Sequence, residues 1–206
     1  MRIGIYGGTF DPPHLGHLRA AELARESFCL DRIWFMVAKD PPHKKERVKS
    51  PFSVRFTMAS LAVEENPHFQ VSDFEAGRGL SYTVDTMKAL REVYPHEFFL
   101  IVGEDSFEEF PTWKDYRTLV RENNIVVIKR KWTPFRPPAW ASDMGLDINY
   151  LHEGERNCGK GIFYLSCATL PISSSMVREK VKRGLSVRYL VPEKVRKYIL
   201  KEVLYR

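Results

Sequence analysis

Short apolar runs at residues 3–6, 33–37, 98–102, 125–128 and 162–165 alternate with stretches whose apolar side chains step by three or four. Leu18, Ala21, Ala24 and Phe28 form one such stripe, Phe52, Phe56, Ala59 and Val63 a second, and Val84, Met87, Leu90 and Tyr94 a third. A run of four or five apolar residues suits a strand buried on both faces, and the three-to-four step suits a helix laid against it. The alternation predicts an α/β fold, a doubly wound parallel sheet with helices on both faces, whose ligand site lies in the loops leaving the carboxyl ends of the strands. Ser50-Pro51 reads as a cap and first-turn proline for the second helix, and Pro95 closes the third. Residues 173–183 and 192–205 read as a small C-terminal helical extension of a single domain spanning 1–206. Two segments, 38–50 and 130–160, carry prolines and no periodicity and read as irregular.

The first strand runs into Gly7-Gly8-Thr9-Phe10-Asp11-Pro12-Pro13-His14-Leu15-Gly16-His17-Leu18. Gly7 and Gly8 permit a sharp turn and close approach of a phosphate, and a helix beginning near His14 would aim N–H groups and a positive dipole end at it. His14 and His17, three apart, share one face of that first turn, with Gly16 leaving room for a ligand. Two imidazoles can then donate to non-bridging phosphate oxygens. The alternative is that one caps the helix and the other packs in the core; a pair on a glycine-rich strand-to-helix turn favours the phosphate reading. Ser173-Ser174-Ser175 with Arg178 one turn on offers a second cradle of hydroxyls and a guanidinium, against the simpler reading of a serine cap and a surface arginine.

With 44% hydrophobic and 28% charged residues and no apolar run near the roughly 20 residues of a membrane span, the 206-residue chain is expected not to enter a membrane. Its start, with only Arg2 basic, lacks a signal-peptide pattern, so a cytoplasmic location is expected. Cys29, Cys158 and Cys167 are widely spaced and form no Cys-x-x-Cys, so they read as reduced packing residues. A net charge of +6 attracts phosphorylated partners, small or polymeric.

His14-Leu15-Gly16-His17 matches the His-x-Gly-His signature of the nucleotidyltransferase superfamily, which implies a Rossmann-like domain. Gly7 to His14, Pro42-His43-Lys44, Ser81-Tyr82-Thr83-Val84-Asp85-Thr86, Gly103-Glu104-Asp105, Pro111-Thr112-Trp113 and Ile172-Ser173-Ser174-Ser175 follow in the order seen in bacterial nicotinate-nucleotide adenylyltransferases, and the resemblance spans residues 1 to about 200. It implies that His14, His17 and Arg178 are catalytic, and that Gly8, Thr9, Phe10, Gly16, Gly103, Asp105, Ser173, Ser174 and Ser175 hold ATP, Asp105 at the ribose. It assigns the mononucleotide to Asp11, Lys44, Tyr82, Thr83, Trp113 and Lys114, with the Trp113 indole stacked on the pyridinium and backbone N–H groups near Thr83 and Lys114 on the carboxylate. Taken alone, Trp113 could equally be a core tryptophan and Thr83 a helix cap. Ser175 stands where the family often has threonine, and residues 133–160 match no pattern of it.

The implied reaction transfers AMP from ATP to nicotinate mononucleotide with release of pyrophosphate. Mg2+ is expected to be held mainly through the ATP phosphates, with no protein metal site. Rivals are adenylyl or cytidylyl transfer to another phosphorylated acceptor, and a non-catalytic RNA-binding or nucleotide-sensing module. Against the last, aromatic and basic residues are not interleaved on any one expected strand, so no nucleic acid partner is expected.

Overall fold

The computed structural model describes residues 1–39, 50–79, 82–129, 136–166 and 170–206. Seven strands, β1 (Arg2–Gly8), β2 (Arg32–Val37), β3 (Phe69–Ser72), β4 (Glu97–Gly103), β5 (Asn124–Lys129), β6 (Ile148–His152) and β7 (Ile162–Ser166), form one sheet in the order β3-β2-β1-β4-β5-β7-β6. The helices are α1 (Leu15–Ser27), α2 (Phe52–Val63), α3 (Phe74–Arg78), α4 (Thr83–Val93), α5 (Glu104–Glu108), α6 (Tyr116–Glu122), α7 (Ala139–Asp143), α8 (Ser174–Lys182) and α9 (Glu193–Lys201). The strand order reverses after β1, as the alternating pattern requires of a doubly wound sheet. By contacts the chain divides into two compact units.

One unit comprises Met1–Tyr6, Ala20–Ile33 and Tyr82–Thr169. Within it β1 pairs with β4, β4 with β5, and β7 with both β5 and β6, all parallel, with Ile5 opposite Leu100 and Val127 opposite Tyr164. Both faces of β1, β4, β5 and β7 are covered, which is why their runs are continuously apolar rather than alternating. Gly4 is tightly enclosed in β1: a Cβ there would meet Ile33 Cδ1 at 2.6 Å and Ile101 Cδ1 at 2.8 Å, so the tips of those side chains would have to shift. The other unit comprises Gly7–Arg19, Trp34–Ser81 and Leu170–Arg206. Its core gathers Met58 of α2, Val177 of α8, Val187, Val191, and Val195 and Ile199 of α9.

The structure departs from the sequence expectations at several places. Residues 136–160 are not simply irregular: they contain α7 and the strand β6, which pairs with β7 at the sheet edge. β3 also went unforeseen, because both are edge strands only partly buried and lack the continuous apolar run of a central strand. Ser50 does not cap α2; Pro51 holds the cap position, and no side chain bonds there. Cys29 and Cys158, expected reduced, form a disulfide with Cα atoms 5.5 Å apart. Local spacing cannot reveal a partner 129 residues away. Asn157 N donates to Ser27 O at 2.8 Å and Arg2 Nη1 to Cys158 O at 2.7 Å, and these bonds bring the two segments together.

Candidate active site

β1 continues through Gly7 and Gly8, so the turn expected at these glycines comes two residues later, at Phe10, whose φ of 51° lies in the left-handed region. The Phe10 ring folds back over Gly8 and packs against Phe35 and His17, with centroids 5.6 and 5.2 Å away. Gly7 is exposed, and a Cβ there would meet nothing within 4 Å. Of the two glycines it is Gly7 that leaves open backbone for an anion.

His14 immediately precedes α1 and caps it. Its Nδ1 accepts the His17 N–H at 3.3 Å, while His17 Nδ1 accepts the His14 N–H at 3.1 Å. This is the reciprocal logic of a capping box, built from two imidazoles instead of a hydroxyl and a carboxylate. The capping and phosphate-binding readings are therefore compatible. With Nδ1 accepting, each neutral ring carries its proton on Nε2, which makes that nitrogen a donor. The rings stack with centroids 3.6 Å apart, a spacing at which two positive charges would repel by about 5 kcal/mol at an effective dielectric of about 20. The geometry thus favours neutral Nε2–H donors over a pair of imidazolium ions.

Gly16 has a different reason from the one expected. The space a side chain would take is filled by the His14 ring, 3.0 Å from an ideal Cβ, and by Leu170 O at 3.2 Å. Leu15 N donates to Leu190 O at 2.9 Å, and the N–H groups of His17 and Leu18 turn to His14. Of the first four α1 amides only Gly16 N lacks an acceptor among the described residues.

Residues 9–12 are pinned from three sides. Arg55, 1% exposed, donates to Thr9 O, Ala38 O, Lys39 O and Ser50 O at 2.7–3.1 Å. Ser174 Oγ donates to Pro12 O at 2.9 Å and Arg178 Nη1 to Asp11 O at 2.7 Å. Asp11, expected in the mononucleotide set, is 2% exposed; its carboxylate accepts from Tyr205 Oη at 2.6 Å and Ser50 N at 3.3 Å. Its carboxylate is thus turned inward to hold the loop. Sequence reasoning missed Arg55, Ser50 and Tyr205; an arginine inside the apolar face of α2 was the available signal for the first.

The three serines divide their tasks. Ser173 Oγ accepts the Met176 N–H at 3.1 Å as the cap of α8, Ser174 ties down Pro12, and Ser175 Oγ accepts from Arg178 Nη2 at 3.2 Å. The N–H groups of Ser174 and Ser175 have no acceptor among the described residues, and the half-buried Arg178 guanidinium sits one turn beyond them. A serine cap and backbone N–H groups left without an acceptor among the described residues thus coincide here.

In the other unit, Gly103 ends β4 and Asp105 lies exposed on the first turn of α5. Glu104 beside it faces the buried Lys129 at 3.5 Å. Thr83 opens α4 as its first residue rather than capping it: Tyr82 is the cap residue and makes no side-chain cap bond. Among the described residues the α4 amino terminus thus carries no side-chain cap bond. Tyr82 is 42% exposed, with Lys114 Nζ 4.9 Å from its ring centroid and bonded to Asp85 Oδ2 at 2.8 Å. Trp113 is half-buried, its ring 4.7 Å from that of Phe110, so it is anchored without being a core residue. Lys44 lies outside the described residues.

The cytidylyltransferase-like family model matches residues 5–180. A “Probable nicotinate-nucleotide adenylyltransferase” of Geobacter metallireducens is 42% identical over 212 residues, covering 100% of this chain and 98% of that protein. One from Desulfitobacterium hafniense strain Y51 is also 42% identical, over 100% and 96%. The chain belongs to the nicotinate-nucleotide adenylyltransferase family. Among solved structures, a Plasmodium falciparum nicotinic acid mononucleotide adenylyltransferase complexed with NaAD has a TM-score of 0.76 at 20% identity, over 99% of this chain and 97% of that one, and supports the fold. The same Plasmodium falciparum enzyme complexed with APC has a TM-score of 0.73 at 20% identity, over 99% and 96%. As a nicotinate-nucleotide adenylyltransferase the chain is a nucleotidyltransferase with a Rossmann-like sheet.

Proposed function

We propose that the chain transfers AMP from ATP to nicotinate mononucleotide, giving nicotinate adenine dinucleotide and pyrophosphate as a step in NAD biosynthesis. The observation that carries this reading is the full-length likeness to curated adenylyltransferases of that name, with 42% identity. In the reaction a phosphate oxygen of the mononucleotide attacks the α-phosphorus of MgATP in line. The new P–O bond forms as the bond to the β-phosphate breaks, and pyrophosphate leaves with magnesium as part of the substrate and product. The nucleophile is already ionised, so positioning and charge neutralisation do the catalytic work.

His14 and His17 would donate from Nε2 to the phosphate oxygens, Arg178 would supply fixed positive charge, and Gly16 N, Ser174 N and Ser175 N would add uncharged donors. Thr9, Phe10 and Gly8 would shape the ATP side, and Gly103 and Asp105 the ribose contact. Trp113 and Tyr82 would present aromatic faces to the pyridinium, with the α4 amides near Thr83 receiving the carboxylate. No helix among the described residues is long and apolar enough to cross a membrane, which accords with a cytoplasmic enzyme.

The test is pyrophosphate release from MgATP with nicotinate mononucleotide and nicotinamide mononucleotide offered separately. Strong preference for the acid is expected. Release with neither, but with another phosphorylated acceptor, would keep the nucleotidyl transfer and discard the pyridine substrate.

A further inference from the structure

We propose that Tyr205 is a positioning residue for the nucleotide site, acting through Asp11 on the Arg178 guanidinium; this rests on the reading of Arg178 as an ATP-phosphate ligand. Tyr205 lies 194 residues from Asp11 in sequence, yet its hydroxyl donates to Asp11 Oδ1 at 2.6 Å and accepts from Ser50 Oγ at 3.2 Å. A 2.6 Å contact is the length of a charge-assisted O–H···O⁻ bond, among the stronger kinds in proteins. Burial, and then the charge of Asp11, push the Tyr205 phenol well above its usual range, so it stays a neutral donor throughout the working pH.

Backbone geometry supports a built contact. Val203 and Tyr205 both have positive φ, 53° and 64°, although neither is glycine. Left-handed backbone at a bulky residue costs energy and persists where surrounding contacts determine it. The turn that follows α9, with Leu204 N bonded to Ile199 O at 3.0 Å, brings the ring to Asp11. Asp11 in turn presents its main-chain oxygen to Arg178 Nη1 at 2.7 Å, while Nη2 is held by Ser175. The chain of contacts Tyr205–Asp11–Arg178 fixes the plane of a guanidinium whose forked donors must meet phosphate oxygens at a set angle. Removing the hydroxyl takes one donor from the buried Asp11 carboxylate and loosens one of the ties on the loop that orients the guanidinium.

The experiment is a double-mutant cycle on the full chain, with Tyr205→Phe and Arg178→Ala, read by equilibrium binding of MgATP and by turnover with nicotinate mononucleotide. Tyr205→Phe is expected to weaken MgATP binding about tenfold, and to leave the KM for the mononucleotide within about twofold. In the Arg178→Ala background the same change should weaken MgATP no further. Additive losses, or unchanged affinity in Tyr205→Phe, would overturn the proposal. If the wild type fails to turn over nicotinate mononucleotide, the substrate reading fails, while the MgATP cycle still decides the role of Tyr205. Should Tyr205→Phe not fold, Asp11→Asn keeps the side-chain shape while removing the charge, and carries the same cycle with the same expected and overturning results.

Discussion

The ring of Phe10 lies over Gly8 so closely that a Cβ at that glycine would meet Phe10 Cζ at 2.7 Å. The ring cannot yield easily, being 2% exposed and packed against Phe35 and His17. Gly8→Ala is therefore expected to cost about 1–3 kcal/mol in urea unfolding, the usual range for overpacking. It should also lower turnover, because the displaced ring bears on His17. Gly7→Ala, with open space around it, should change stability by less than about 1 kcal/mol and act instead on the KM for MgATP.

The reciprocal imidazole cap allows the two roles of His14 to be separated. Asparagine places an acceptor near the position of Nδ1 and is itself a strong helix cap, but has nothing at Nε2. His14→Asn should keep its melting transition while kcat falls about a hundredfold or more, the loss typical of one transition-state donor. His14→Gln reverses the trade: the cap is poorer by about 1 kcal/mol, and an amide near the Nε2 position retains part of kcat. Equal kcat in the two variants would remove Nε2 from the chemistry.

The fold was legible in sequence where burial is two-sided. The five apolar runs all became strands, and the three stripes became α1, α2 and α4 within a few residues. β3 and β6 were not legible, because an edge strand such as Asn149-Tyr150-Leu151 buries only part of its side chains. At the candidate site, the histidine pair and the serine–arginine group stood out because their residue types are unusual for their positions, whereas Trp113 was named only through the family resemblance. What held them was harder to read: Arg55, which works on four carbonyl oxygens, was signalled only by its place inside the apolar face of α2, and Tyr205 reaches Asp11 across 194 residues, which leaves no local pattern. The inward turn of the Asp11 carboxylate was not legible either, since it depends on a partner at the far end of the chain.

Trp113 tests the aromatic side. It is half-buried and seated on Phe110, so truncation removes an exposed aromatic face without emptying the core. A cationic ring over an indole is stabilised by about 0.5–2 kcal/mol. Trp113→Ala is accordingly expected to raise the KM for nicotinate mononucleotide by roughly three- to thirtyfold, with the KM for MgATP little changed; Trp113→Phe should lie between. An unchanged KM for the mononucleotide would place the pyridine elsewhere.

The Cys29–Cys158 bond joins the segment before β2 to the segment before β7, at the amino ends of the strands and away from the carboxyl-end loops that carry ligands in such sheets. It is thus expected to act on stability and not on turnover. Thiol titration of unfolded, unreduced protein should find one free cysteine of the three in the sequence. Reduction, or Cys29→Ser, should lower unfolding free energy by about 2–4 kcal/mol and leave kcat within about twofold. Three titrating thiols in freshly purified protein would show that the bond is not formed there.

Lys129 ends β5 buried to 2% exposure, and the Glu104 carboxylate that faces it at 3.5 Å is 14% exposed. Removing one member of such a pair leaves a charge in a poorly solvated place, at a cost of about 3–5 kcal/mol, whereas replacing both by neutral groups of similar volume is often nearly neutral. Glu104→Gln should therefore destabilise the protein strongly, and Glu104→Gln with Lys129→Met should recover most of the loss. The pair also has a position that bears on ligand binding: Glu104 directly precedes Asp105, and Gly103 is in register with Ile128, the residue before Lys129. If the ion pair sets the path of the chain out of β4, the double variant will be stable yet show a raised KM for MgATP, because Asp105, the proposed ribose contact, is displaced. Recovery of both stability and KM would confine the pair to a structural role.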